Sequence, residues 1–294
     1  MIGEKDRCRP EADVYQPAHR GSFEFGCRVA ISRFYCFASP CCWASLLGST
    51  HSESRPLNQL ATRTRQFYFA LSLLLVFLAT LGFWSGYYLP LLSGHSTAEP
   101  VIHFHAAVYS GWLGLFVLQC LLVASGNIQL HRKLGNFGLA YGVVVIAVGF
   151  TTALLRFASR LEAGGIEAVQ NTALAPLTDM LLFGAFFGAA AYTRAKPEFH
   201  KRLMLVAATT ILIPSIARFV GGFDLEPALR HATRLCLWLS PIFFAMAFDF
   251  YTRKICHPVY VAGALAIVLF NFRVPLQYTD AWMQFTHWLA SVMA

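Results

Sequence analysis

Histidine beside paired cations recurs in this chain wherever a short basic turn gives way to an apolar run. Gln129-Leu130-His131-Arg132-Lys133-Leu134 and Glu198-Phe199-His200-Lys201-Arg202-Leu203 share the pattern, and Arg253-Lys254-Ile255-Cys256-His257 repeats it at looser spacing. An imidazole can ligate haem iron, hold a metal or carry a proton. At a helix start beside Lys and Arg, it equally suits a lipid phosphate. A second set of polar residues lies inside apolar runs: His105, Tyr109, Gln119, Asp179, Arg218 and His231. Ionisable groups in such a setting are costly, and they tend to face a bundle interior or a wet cavity.

The elements that must carry these residues are long and apolar. Hydrophobic residues make up 56% of the 294, charged residues only 13%, and mean hydropathy is +0.52. That balance is foreign to an ordinary soluble domain. A hydrocarbon layer about 30 Å thick needs roughly 20 apolar residues in a helix. Phe67–Leu91, Phe104–Ser125, Leu134–Phe157, Thr172–Tyr192, Leu203–Gly222, Leu235–Tyr251 and the shorter Val259–Phe272 qualify as candidates. Run length without period-two alternation favours helices, because lipid-facing backbone must satisfy its own hydrogen bonds. The expected fold is an all-α transmembrane bundle of about seven helices spanning residues 66–294.

Basic residues sit in alternate connections: Arg63 and Arg65, Arg132 and Lys133, Arg194 to Arg202, then Arg253 and Lys254. The other connections hold Glu99, Glu162, Glu167, Asp224 and Glu226. The positive-inside bias then puts the N-terminus in the cytoplasm and, with seven spans, the C-terminus outside. The net charge of +8 is therefore topological, and anionic lipid headgroups are its expected partners. Scattered juxtamembrane cations make no nucleic-acid face.

Residues 1–65 differ from the rest. They hold Cys8, Cys27, Cys36, Cys41 and Cys42 and no sustained period. The expectation is a disordered leader, or one translated from an over-extended gene start. A signal peptide fits poorly, since its apolar core belongs nearer Met1. Cys-Cys without a nearby His is a weak zinc pattern, and cytoplasmic thiols are expected to stay reduced.

About eighteen helical residues return to the same face after five turns. His105, Tyr109, Trp112, Phe116 and Gln119 then share a stripe, as do His231, Leu235, Trp238, Ile242 and Asp249. His131 aligns with Gly135, Gly138, Gly142 and Gly149, and His200 with Ala207, Ile211, Pro214 and Arg218. All four stripes are expected to look inward. Depth sorts them into an outer pole (His105, Tyr109, Asp179, Arg218, His231, with His103) and an inner pole (His131, His200, Asp249, with His257). An Asp179–Arg218 ion pair is the expected way to avoid two unpaired charges in hydrocarbon. Small residues at Gly135, Gly138, Gly142, Gly184 and Gly188 permit close helix approach.

His103-Phe-His105-Ala, Trp112, Gln119, His131-Arg-Lys-Leu-Gly135 and Phe199-His200-Lys-Arg-Leu-Met204 with Arg218 resemble a group of uncharacterised bacterial inner-membrane proteins. That group is distantly similar to small membrane proteins of haem-copper oxidase maturation. The resemblance covers roughly Phe67 to Arg218. It implies a bacterial inner membrane, a link to haem or oxidase assembly, and a membrane-protein partner.

Three functional readings follow. The first is b-type haem binding or redox assembly, with His131 and His200 as the inner ligand pair and His105 and His231 as outer candidates. The second is binding or transport of an anionic, amphipathic small molecule in an outward polar pocket containing Asp179, Arg218, Tyr109 and Gln119. The third is a metal-dependent intramembrane hydrolase using His103, His105, Asp179 and His231. No HExxH, nucleotide-binding glycine loop or Ser-His-Asp order supports catalysis.

Overall fold

The computed structural model describes residues 50–170 and 172–293. The expectations for residues 1–49 lie outside the described residues. The candidate membrane spans among the described residues all lie within residues 53–294. Helix is the only regular structure among the described residues.

Helix α1 (Thr50–Phe83) runs on through a π-helical turn, Trp84–Tyr88, and a last turn, Leu89–Leu92. There follow α2 (Pro100–Ala124), α3 (Ile128–Gln170), α4 (Leu174–Tyr192), α5 (Pro197–Thr210), α6 (Ile213–Gly221), α7 (Pro227–Arg253), α8 (Pro258–Asn271) and α9 (Asp280–Met293). Among the described residues six spans are long and apolar enough to cross a bilayer, or seven if α5 and α6, bent by 41° at their junction, are one broken span. The chain is a multi-pass helical membrane protein.

Local sequence explains the boundaries. Pro100, Pro197, Pro227 and Pro258 open α2, α5, α7 and α8, where a missing N–H costs nothing and the fixed φ is already helical. Glu226 caps α7 by accepting the N–H groups of Ala228 (3.0 Å) and Leu229 (3.2 Å). Gly126 ends α2 in the left-handed region at φ +82°, a conformation that a side chain disfavours. The α5–α6 bend has a comparable cause. Pro214 cannot donate to the preceding turn, and the chain tightens so that Leu212 N–H bonds the Thr209 carbonyl (3.1 Å). The indole Nε1 of Trp238 donates to the same carbonyl at 2.8 Å. The sequence reading expected one continuous span over Leu203–Gly222, and the proline breaks it.

Helix α5 is the centre of the bundle, packing against α4, α7 and α8. Leu205, Val206, Ala207 and Ala208 are all 1% exposed or less. Small residues let its neighbours approach, since association in lipid relies on packing rather than on water exclusion. A Cβ at Gly263 of α8 would press on Val206, and one at Gly142 of α3 would enter the ring of Phe187.

Two elements exceed the expected bundle. Helix α3 runs roughly 55 Å before the break at Gly165, well beyond the hydrocarbon thickness; Gly165 itself sits at φ 69°. The segment after Phe272, left open by the sequence, forms a 3₁₀ turn (Val274–Tyr278) and then α9. Trp282 of α9 donates from Nε1 to the Gln170 carbonyl (2.7 Å), and Leu289 packs with Phe157, Val169 and Ala173. Phe285, Trp288 and Val292 remain exposed on α9, as suits a helix lying at an interface.

Candidate functional site

The end of the bundle opposite the basic turns contains a cavity of about 950 Å³. The end of α1, the start of α2, the middle of α3, the start of α4, α6, the start of α7 and the end of α8 all contribute to its lining. His105, Tyr109, Asp179, Arg218 and His231 all line it. The residues assigned to the outer pole by helical period and depth are therefore brought together, except His103, whose Nδ1 faces the Tyr87 hydroxyl at 3.0 Å.

Backbone placement explains the fit. Gly149 of α3 lies where a Cβ would strike Met180 and the Tyr109 hydroxyl. That space admits Tyr109, whose hydroxyl contacts the Val145 carbonyl (3.2 Å) and the Met180 sulfur (3.0 Å). The ring of His105 stacks on Tyr109 with centroids 4.2 Å apart. His105 Nδ1 is buried without a partner.

The expected ion pair is not formed. Asp179, 5% exposed, is bound by Arg273 Nη2 at 2.5 Å. Arg218 instead donates to the Pro214 carbonyl one turn back (2.9 Å) and lies over the Phe83 ring at 4.7 Å. The physical reason is reach: Arg273 follows α8 directly and swings across the mouth of α4, whereas Arg218 is held on its own helix. Arg273 lies just past the last apolar run, where no helical period assigns it a face, so the sequence offers no signal for this partner.

Charge in the cavity is unbalanced. Five arginines line it (Arg156, Arg160, Arg218, Arg234, Arg273) against two carboxylates, Glu99 and Asp179. Glu99 pairs with Arg156 (2.9 Å) and Asp179 with Arg273. Arg160, Arg218 and Arg234 have no carboxylate partner among the described residues; Arg234 Nη2 instead contacts His231 Nδ1 at 2.6 Å. Arg160 and Arg218 share the lining of this cavity with His105. Much of the remaining wall is apolar, with Phe83, Leu113, Phe157, Met180 and Trp238 among its residues. Unpaired guanidinium groups beside an apolar wall can bind a carboxylate or phosphate head bidentately while its tail is covered.

The other end of the bundle holds a denser network that the sequence reading missed. Arg202, 1% exposed, makes a two-pronged contact with Asp249 of α7 through Nε (3.0 Å) and Nη2 (2.8 Å). Its Nη1 binds the carboxylate (2.7 Å) and the carbonyl (2.8 Å) of Glu198. Lys201 and Arg253 also reach Glu198, at 2.7 and 2.6 Å. The hydroxyls of Tyr68 and Tyr260 meet beside this cluster. In sequence Arg202 is one of several juxtamembrane cations, and the signal that singles it out is Asp249, an intramembrane carboxylate that needs a partner.

His131 and His200 do lie within electrostatic reach of each other at this end. His200 Nδ1 faces the Ala190 carbonyl at 2.8 Å. Gln119, in the amide orientation that satisfies both its atoms, donates to His131 Nδ1 (2.5 Å) and accepts from Gly135 N–H (3.2 Å). That bond leaves the His131 proton on Nε2. Gln119 thus belongs to the basic-turn end and does not line the cavity. His257 caps α8 by accepting the Val259 N–H (3.3 Å), and Phe199 packs edge-on against its ring. Partial burial, then the charge of Arg202, lowers its pKa from the ordinary value.

No three His, Cys, Asp or Glu side chains converge in a metal-binding group among the described residues. No family model, curated protein or solved structure matches the chain.

Proposed function

We propose that this protein binds an amphipathic anion, a carboxylate or phosphate head on an apolar tail, in the cavity at the end opposite the basic turns. On this reading the chain lies in a bacterial inner membrane with its basic turns in the cytoplasm, and the cavity opens outward. One observation supports the proposal: Arg160, Arg218 and Arg234 line the same cavity as His105, and none has a carboxylate partner among the described residues. Cations gathered along one wall without carboxylates repel one another until an anion joins them. The head would sit between Arg160 and Arg218, with Arg234 and His231 completing its shell. Phe83, Leu113 and Met180 would cover the tail.

Haem b is one member of this ligand class, since its two propionates are anions on a flat apolar ring. The unpartnered Nδ1 of His105 at the cavity wall favours keeping it in view, and an absorption spectrum of the purified protein separates it from a colourless ligand.

Titration of the detergent-purified protein with octyl phosphate tests the reading. Saturable binding is expected, weakened about 10- to 100-fold in Arg218→Gln and in Arg160→Gln, the range for losing one charge-assisted contact. Equal affinity in wild type and both variants would reject it.

A further inference from the structure

The cavity and the buried network at the opposite end are carried by the same elements. The bent α5–α6 span bears Arg202 in the network and Arg218 in the cavity. Helix α7 bears Asp249 in the one and His231, Arg234 and Trp238 in the other. Between the cavity floor at Trp238 and the ion pair at Asp249, about 16 Å of helix, the facing residues are small or aliphatic and buried. Val206, Ala207, Ala208, Ile242 and Ala245 are each 1% exposed or less.

A ligand pocket used only for holding would need no charges at the far end of the elements that line it. Burying Arg202 with Asp249 is expensive, and apolar residues of the same volume would stabilise the bundle at least as well. What an ion pair offers is a closure that can be broken and remade. The break at Pro214 supplies the hinge, because the Thr209 carbonyl takes the Leu212 N–H in a tightened turn and the Trp238 indole across the bundle, where the α5 helix ends. Discontinuous helices next to a cavity, with access alternating around a fixed site, are how transporters move a ligand.

We propose that Arg202, Asp249 and Glu198 form a closed gate on the basic-turn side of a pathway whose open end is the cavity, so that the protein carries its amphipathic anion across the bilayer. This rests on the anion-binding reading of the cavity. Opening separates α5 from α7 and breaks both pairs that cross between them, Arg202–Asp249 and Arg253–Glu198, while Lys201 stays with Glu198 on α5. Arg202, released from Asp249, then becomes the anion's counter-charge on that side.

Two readouts on the full chain in vesicles test the proposal, with octyl phosphate as the probe. The first is flux. Vesicles containing the protein should release trapped labelled octyl phosphate about tenfold faster than empty vesicles, and Arg218→Gln should remove the increase. The second is access. In a chain whose eight cysteines are replaced by serine, Ala207→Cys is probed with a membrane-impermeant maleimide from the basic-turn side. Little labelling is expected in the parent, and labelling about tenfold faster in Asp249→Asn and in Glu198→Gln. The second variant keeps the Arg202–Asp249 pair, so it serves where Asp249→Asn fails to fold. Octyl phosphate binding without flux, and with labelling unchanged in folded gate variants, overturns the gate while leaving the cavity reading intact. Absence of octyl phosphate binding in the parent overturns the cavity reading, and with it anion transport.

Discussion

Replacing Arg202 by methionine should be among the most damaging single changes in this bundle, and the reason is local. Asp249 is 3% exposed and receives two donor nitrogens from Arg202. Methionine fills much of the same volume but leaves the carboxylate buried without a counter-charge. Breaking such a pair costs about 3–5 kcal/mol, mostly the penalty of the stranded ion. Glu198 adds little to this figure, since it is half-exposed and keeps Lys201 and Arg253. The double variant Arg202→Met/Asp249→Leu strands nothing and should lie within about 1 kcal/mol of wild type. The cycle therefore predicts a coupling energy of about 3 kcal/mol or more. Reversible unfolding in mixed micelles of increasing SDS fraction, followed by circular dichroism, gives the three free energies. Additive effects, or an Arg202→Met protein as stable as wild type, would refute the reasoning.

Two further outcomes use the same assay. Arg273→Ala should destabilise by several kcal/mol, because it strands the buried Asp179, while Arg218→Ala, losing a carbonyl contact and a ring contact, should cost about 1 kcal/mol; the reverse order would restore the Asp179–Arg218 pairing. His257 is held neutral with a lowered pKa. Its contribution to stability is therefore fully present above the unfolded value of about 6.5 and is lost as pH falls through the lower folded value. His257→Asn, which keeps an acceptor at the cap, should be less acid-sensitive than wild type between those limits, and identical pH profiles would contradict this.

Much of the architecture was legible because bilayer thickness and backbone hydrogen bonding leave few alternatives. The stripes from His105 to Phe116 and from His231 to Asp249 needed only the helical period, and their residues Trp112, Phe116, Trp238, Ile242 and Asp249 are all buried. Partner choice was harder. Asp179 and Arg218 share a depth, but depth says nothing of azimuth, and Arg273 arrives from a segment that no apolar run predicts. Arg202 was hidden by its neighbours. In a Lys-Arg pair at a helix start, topology explains both residues, and only the demand of Asp249 separates the buried one from the solvated one. The bend at Ile211 and Leu212 was signalled by Pro214, yet a proline in a membrane helix is often tolerated without a break.

The central claim is that the cavity, and not the lipid-facing surface, receives an amphipathic anion. Photocrosslinking measures this directly. An octyl phosphate bearing a diazirine on its tail is equilibrated with the purified protein, irradiated, and its adducts are mapped by peptide mass spectrometry. Adducts should concentrate on cavity residues such as Phe83, Leu113 and Met180, disappear with excess unmodified octyl phosphate, and be sharply reduced in Arg160→Gln/Arg218→Gln. Adducts confined to outward residues such as Leu181, Phe243 and Leu265, undiminished by competitor, would contradict the account.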